Sequence, residues 1–249
     1  QKALPEYTME NLFLIWRAKM KVENFGVKHI GFILDGNGRW AKKRGEERLY
    51  GHKMGVEAVR RTIDACLKYE IKYVSLYCFS TENWKRDKYE VDGIFKLLEN
   101  FIDEHTQDCI NKGVRVTFLG ERDKFDDLLR EKMAKLEYAT KDFDNIFVNI
   151  MLNYGSRDEI VRAINLIIHD NIDKIDYNTL RTYLWTKDMP DPDLIVRTSG
   201  EQRLSNFMLL QSAYSELYFP KVFWPSFSER WLKKSLKVYS KRHRRFGKV

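Results

Sequence analysis

The sequence predicts an α/β fold with a mainly parallel sheet, carried in a single domain. Three observations point there. Short apolar runs alternate with longer segments of helical period, the order that builds parallel sheets through crossover helices. The 249 residues suffice for one full core. No internal repeat, low-complexity stretch or Gly/Ser linker divides the chain.

The strands expected in chain order are residues 29–34, 73–79, 114–119, 146–152 and 193–197, with a short one at 216–219. Each is a run of apolar and β-branched residues too short for a helix. Between them, apolar residues recur at helical spacing. Val56, Val59, Ile63 and Cys66 form one stripe, and Val91, Ile94, Phe95, Leu98, Phe101 and Ile102 another, in a helix running to about residue 112. Ile160, Val161, Ile164, Ile167 and Ile168 form a third, and Trp231, Leu232, Leu236 and Tyr239 a fourth. Residues 1–27 are expected to be an amphipathic helical segment, with Met9, Leu12, Phe13, Trp16 and Met20 on one face, preceding a domain at 28–249. Docking on the domain itself is the default for that face, with a partner or a membrane surface as alternatives.

Composition narrows the function classes. With 43% hydrophobic and 32% charged residues, the chain is an ordinary globular protein and widespread disorder is excluded. No apolar run approaches the roughly 18 residues of a membrane span, and no signal-peptide pattern is visible. Cys66, Cys78 and Cys109 are scattered and contain no CxxC pair, which predicts reduced thiols in a cytoplasmic protein. The net charge of +8 resides in residues 233–249, which hold eight Lys/Arg and no acid. Such a tail is either a solvated helix end or a contact for anionic lipid headgroups or a diphosphate, giving a peripheral membrane contact at the inner face. It lacks the interleaved aromatics of a nucleic-acid binder.

Three polar clusters follow strands, where ligands bind in open α/β sheets. The first is Asp35-Gly36-Asn37-Gly38-Arg39-Trp40, with Arg44, Arg48 and His52 beyond it. Its glycines let backbone N–H groups approach an anion, a following helix would add its positive end, and Asp35 suits a hard divalent cation together with diphosphate oxygens. The string is also an ordinary turn signal, and it is neither a Walker A loop nor GxGxxG. What favours a site is a carboxylate followed by an arginine at a strand end. The second cluster is Ser80-Thr81-Glu82-Asn83-Trp84, then Arg86 and Glu90. Ser80 and Asn83 could position a substrate, or this could be a helix N-cap with Trp84 packed in the core. The third runs from Arg197 through Ser199, Gly200, Arg203 and Ser205 to Asn206, two guanidiniums and hydroxyls suited to a metal-free phosphate pocket. Together they predict a site for two phosphorylated ligands and Mg²⁺; Glu216 is unmarked by this reasoning.

The strings HIGFILDGNGRWAKKRG, GHKMGVEAVRR, YCFSTENWKR, NYGSRDEI, DLIVRTSGEQRLSNFMLLQSAYSELYF and RHRRFG, in this order across residues 29–247, resemble the cis-prenyltransferases, above all the bacterial undecaprenyl diphosphate synthases. The resemblance implies a six-stranded parallel sheet, an apolar product tunnel, a homodimer and Mg²⁺-dependent condensation of isopentenyl diphosphate with an allylic diphosphate such as farnesyl diphosphate. The product implied is a long-chain polyprenyl diphosphate such as undecaprenyl diphosphate, precursor of the cell-wall lipid carrier, with a short- or medium-chain cis-prenyl diphosphate as the alternative. By matching position, Asp35 and Glu216 hold the metal, with Glu216 reaching in from the partner region of the dimer or from the same site. Gly36, Asn37, Gly38 and Arg39, with Arg48 and His52, bind the allylic diphosphate, and Trp40 is a further substrate-binding residue. Arg197, Arg203 and Ser205 bind isopentenyl diphosphate. Ser80, Thr81, Glu82, Asn83, Trp84, Arg86 and Glu90 lie on the segment that covers the substrates. Asp35 and Asn83 are the catalytic candidates, and Asn83, Ser80, Asp35 or the released diphosphate could accept the proton.

Gln202 stands where histidine is frequent in that family, and Cys78 where alanine is common in long-chain producers. Phe147 is expected to narrow the tunnel. The paired aspartates of trans-prenyltransferases are absent, Asp142/Asp144 and Asp191/Asp193 reading as loop residues. A kinase or phosphohydrolase would need a lysine loop or nucleophilic Asp motif that is missing. A non-catalytic partner subunit would have lost the Asp35–Arg39 loop.

Overall fold

The computed structural model describes residues 23–242. Its sheet comprises β1 (His29–Ile33), β2 (Tyr73–Ser80), β3 (Val114–Leu119), β4 (Ile146–Tyr154), β5 (Leu194–Arg197) and β6 (Glu216–Tyr218) in the spatial order β3-β4-β2-β1-β5-β6. Every pairing is parallel. The helices among the described residues are α1 (Asn37–Lys42), α2 (Arg48–Lys68), α3 (Lys88–Lys112), α4 (Asp127–Thr140), α5 (Ser156–His169), α6 (Tyr177–Tyr183) and α7 (Glu229–Ser240). None is long and apolar enough to cross a membrane. Of the expected segment 1–27 only residues 23–27 are described. They are irregular chain, with Phe25 edge-on to Tyr69 at 6.0 Å; the stripe from Met9 to Met20 lies outside the described residues.

A parallel sheet must be covered on both faces, and β1 is buried along its whole length for that reason. Ile30, Phe32, Val74, Leu76, Val148 and Ile150 point to the face carrying α2, α3, α4 and α7, in one continuous core. Phe32 packs there on Trp224 and Phe227 at 5.8 and 5.6 Å. The opposite face, with Ile33, Tyr77, Met151 and Ile195, is covered by Phe207 and Met208 from an irregular segment. Asp191 pairs with Arg181, and Asp193 accepts from the N–H groups of Lys28 and His29, so both are loop structure as the sequence suggests.

β2 and β4 run longer than expected because they continue to pair up to Ser80 and Tyr154, through register irregularities around Phe79. Such a bulge re-aims side chains at the rim of a sheet. It leaves Cys78 partly buried at that rim.

One expectation is corrected by the register of β4. Phe147 does not face the main core. Alternation along β4 sends Ile146, Val148 and Ile150 there, and Phe147 stacks instead on Tyr73 at 4.8 Å on the other face. The third apolar stripe lies on a helix, as its spacing predicts, but only part of it is buried. In α5, Ala163 and Ile167 are buried, whereas Val161, Ile164 and Ile168 are exposed. The α3 stripe is only half-buried between Ile94 and Phe101, because these residues wall an open apolar cavity between α2, α3 and the sheet.

Candidate active site

The chain leaves β1 towards β2 on one side, while β5 leads to β6 on the other. The crevice between the carboxyl ends of β1 and β5 is therefore the topological switch point of the sheet. Asp35 and Arg197 meet there. Arg197 donates from Nη2 and Nε to Asp35 Oδ2 at 3.0 and 3.3 Å, and from Nη1 to the Arg203 carbonyl and Ser205 Oγ, both at 2.7 Å. Its side chain is 7% exposed, so the sheet rim fixes it firmly. Asp35 Oδ1 accepts from Arg39 Nη2 at 3.0 Å.

Backbone conformation makes this turn possible. Gly36 has φ +103°, and a Cβ there would lie 2.2 Å from Ser199 Oγ. α1 begins at the next residue, so the N–H groups of Asn37, Gly38 and Arg39 have no intrahelical acceptor. Gly38 lies beneath the Arg48 guanidinium, which a Cβ would meet at 2.8 Å. Ser199 (φ 76°), Ser205 (φ 48°), Asn206 (φ 66°) and Met208 (φ 45°) hold the loop after β5 in left-handed conformations. These are costly for side-chain-bearing residues and concentrate at functional sites.

A second polar knot lies beside the first. Glu90, on α3, accepts from Arg48 Nε (2.8 Å), His52 Nε2 (3.1 Å) and Arg86 Nη1 (3.2 Å). Burial opposes ionisation of Glu90, but hydrogen bonds from Arg48 and His52 and the charges of Arg48 and Arg86 outweigh it and bring its carboxyl down to about 2. Burial lowers His52 despite its hydrogen bond to Glu90. Glu201 bridges Arg39 (2.8 Å) and Arg203 (2.6 Å), and these two hydrogen bonds lower its pKa. A carboxylate that spans two guanidiniums marks a place where a phosphate could sit.

Of the second cluster, Ser80 and Asn83 form a capping box around a short 3₁₀ turn, Thr81–Lys85, with Asn83 Oδ1 accepting from the Ser80 N–H at 3.1 Å. Trp84 turns away, packing near Phe79 and Phe95 and donating to Asn153 Oδ1 at 2.8 Å. Trp40 is buried with its indole N–H on Ser226 Oγ at 2.7 Å, and the Arg44 guanidinium lies 3.7 Å from its ring centre. Both indoles therefore act as packing. Asp35, Ser80, Glu82, Asn83, Arg86 and Arg197 line one open cleft of about 510 Å³. Thr81 Oγ1 donates to Asp158 at 3.1 Å.

Glu216 is not brought to this rim within the chain. It lies on the edge strand β6, level with Leu194 and three residues back from Arg197, and pairs with Arg242 at 2.7 Å. That is about 10 Å along the strands and one strand beyond β5. Glu201, Arg157 and Asn206 also contribute to the site region. None of the three is marked individually by the sequence, although Glu201 and Asn206 lie inside the third cluster and Arg157 directly follows Gly155-Ser156.

The polar cleft shares Leu34 and Cys78 with the apolar cavity, whose walls include Val59, Leu98, Phe101, Ile150 and Leu152. Apolar surroundings push the Cys78 thiol up to about 12, so a neutral group stands at this junction. One site thus offers an anion-binding head and a hydrocarbon-compatible extension. The model of the protein family described as "Putative undecaprenyl diphosphate synthase" matches residues 33–247. This chain belongs to that family. The undecaprenyl diphosphate synthase family places the chain among enzymes of prenyl transfer. Its relatives include the isoprenyl transferases of Thermotoga maritima, 46% identical over 224 residues, and of Aquifex aeolicus, 44% identical over 222 residues. These alignments cover 88% and 89% of this chain and 96% of each relative. Among solved structures, a lavandulyl diphosphate synthase from Lavandula x intermedia in complex with dimethylallyl diphosphate superposes with a TM-score of 0.86 at 29% identity, covering 90% of this chain and 99% of that one. A probable undecaprenyl diphosphate synthase from Campylobacter jejuni gives 0.77 at 35% identity, covering 89% and 99%.

Proposed function

We propose that this prenyltransferase condenses isopentenyl diphosphate with farnesyl diphosphate, in cis, to give a long-chain polyprenyl diphosphate such as undecaprenyl diphosphate. The observation that carries this reading is the junction of the Asp35–Arg197 cleft with the apolar cavity at Leu34 and Cys78. An allylic diphosphate needs both parts, a cationic rim for its head and a dry wall for its tail. The bound dimethylallyl diphosphate of the lavandulyl diphosphate synthase is itself an allylic diphosphate, which supports the substrate class.

The residues present suit Mg²⁺. No cluster of three potential metal-binding side chains occurs among the described residues, but Asp35 offers a rim carboxylate beside unpaired amides. Mg²⁺ favours that arrangement, one or two carboxylates completed by substrate phosphates and water. When bound, the ion would neutralise charge on the leaving diphosphate. Glu216 joins that shell only if a second copy of the chain supplies it, and a homodimer follows from the same reading. The exposed apolar face of α5 supports it.

In the reaction, the bond from the allylic carbon to its diphosphate oxygen breaks, and the amides of Asn37–Arg39 with Arg39, Arg48 and His52 receive the departing charge. The cationic carbon is attacked by the double bond of isopentenyl diphosphate, whose diphosphate is held by Arg197, Arg203 and Ser205. Loss of a proton from that unit restores the double bond. Asn83, fixed by its capping box, holds the acceptor unit in place while a proton passes to an oxyanion of the cleft. A preorganised set of donors of this kind is the largest source of rate enhancement for developing negative charge. The product's long tail must be handed to a bilayer, and the basic stretch 233–249 is suited to meeting anionic headgroups at the inner face of the membrane.

Incubation with farnesyl diphosphate, labelled isopentenyl diphosphate and Mg²⁺, followed by chromatography, tests reaction class and chain length together. Labelled long-chain polyprenyl products are expected. In Asp35→Ala they should fall by about a thousandfold or more with thermal stability retained, as for loss of a principal electrostatic group. Normal turnover in that variant at saturating Mg²⁺ removes Asp35 from the mechanism.

A further inference from the structure

The polar cleft contains three arginines whose bonding differs. Arg197 is committed to Asp35, the Arg203 carbonyl and Ser205, and Arg86 donates to Glu90. Arg157 also lines the cleft, yet its guanidinium makes no hydrogen bond, ion pair or ring contact among the described residues. Its backbone, in contrast, is fixed. Arg157 N–H donates to Asn206 Oδ1 at 2.9 Å, Ser156 N–H to the Asn206 carbonyl at 2.8 Å, and Asn206 Nδ2 to Glu82 Oε1 at 3.1 Å. The acids beside it in sequence are engaged elsewhere. Asp158 accepts from Thr81 at 3.1 Å, and buried Glu159 accepts from Tyr154, Thr186 and Gln211.

An exposed arginine whose backbone is anchored on the first turn of a 14-residue helix, which lines an anion-binding cleft and has no counter-ion among the described residues, is free to take up a phosphate. Arg39 and Arg197 must each loosen an internal ion pair to grip phosphate; Arg157 has none to break. Asn206, which anchors it, follows Ser205 in the chain, so Arg157 stands on the Ser205 side of the cleft. We propose that Arg157 directly binds the diphosphate of the five-carbon acceptor, isopentenyl diphosphate. This rests on the reading that the cleft accepts that substrate.

The test is steady-state kinetics of the full-length Arg157→Ala and Arg157→Lys proteins, varying isopentenyl diphosphate at saturating farnesyl diphosphate and then the reverse. Loss of a charge-assisted contact should raise the KM for isopentenyl diphosphate roughly 10- to 100-fold in Arg157→Ala, with kcat and the KM for farnesyl diphosphate within about twofold. Arg157→Lys should recover part of the loss, since it keeps the charge without the fork. The guanidinium makes no hydrogen bond or ion pair among the described residues, so melting temperature should match the parent. An unchanged KM for isopentenyl diphosphate, or equal rises in both KM values, overturns the assignment. If the parent enzyme consumes isopentenyl diphosphate while Arg157→Ala is unaltered, this inference alone fails. A parent that does not consume it brings down the proposed function and the inference together.

Discussion

Single side chains at the rim do two kinds of work that the sequence does not separate. Arg197 and Asp35 are aimed at one another and into the cleft, while Trp84 and Trp40, equally prominent in the sequence, are spent on packing and on one hydrogen bond each. Indoles carry far more apolar area than polar capacity, so burial decides their direction. Cys78 has the opposite character, a small neutral group bordering both the polar cleft and the apolar cavity. Replacement by a larger side chain should obstruct the passage between them. We expect Cys78→Phe to shorten the products formed from farnesyl diphosphate while leaving the KM for isopentenyl diphosphate nearly unchanged. A parent-like product distribution on reversed-phase chromatography would show that the chain grows along a different path.

At the scale of elements, the sheet is held in register by a buried polar cluster beneath the site. His29 on β1 donates from Nδ1 to the Pro190 carbonyl at 2.6 Å, since a carbonyl can only accept, and Nε2 then accepts from Ser75 Oγ on β2 at 2.8 Å. Burial lowers the His29 pKa to about 4, outweighing the Pro190 carbonyl and the charges of Asp193 and Asp191, so the native imidazole is neutral. The unfolded chain takes up a proton near pH 6.5 and the native protein does not. Stability from this group is therefore complete above about pH 6.5 and declines as pH falls towards 4, by about 3 kcal/mol in all. His52, also lowered by burial, acts in the same direction. Carboxylates held low, such as Glu90, lose their contribution only at more acid pH. Urea unfolding between pH 7 and 4.5 should show this decline, and His29→Asn, though less stable at pH 7, should show a shallower one. Equal slopes in the two proteins would mean that His29 is not the group responsible.

For the whole molecule, α5 supplies the unresolved demand. Val161, Ile164 and Ile168 are exposed on one face of α5, and Glu216 on β6 lies level with Leu194, back from the rim that carries Asp35. Both facts agree with an assembly of two copies, in which a self-complementary patch closes by two-fold symmetry. Sedimentation velocity of Ile168→Asp should show monomer at concentrations where the parent sediments as a dimer, because a charge placed in an apolar contact is left desolvated and unpaired. A parent that is monomeric at micromolar concentration, or an Ile168→Asp dimer as stable as the parent's, would rule out this face as the interface.

The sequence by itself determined the alternation of strands and helices, the three polar clusters at strand ends, and the family to which they belong. Those features are local: period, turn chemistry and contiguous strings survive in one dimension. β3 at residues 114–119 and the end of α3 at Lys112 were legible for that reason. Tertiary structure alone decided which face Phe147 takes, that the stripe on α5 stays exposed, that Glu201 bridges Arg39 and Arg203, and that Glu216 stands apart from Asp35. Each of these depends on strand order and register. A parallel sheet joins residues more than a hundred positions apart, such as Asp35 and Arg197, and those pairings leave no trace in the spacing along the chain.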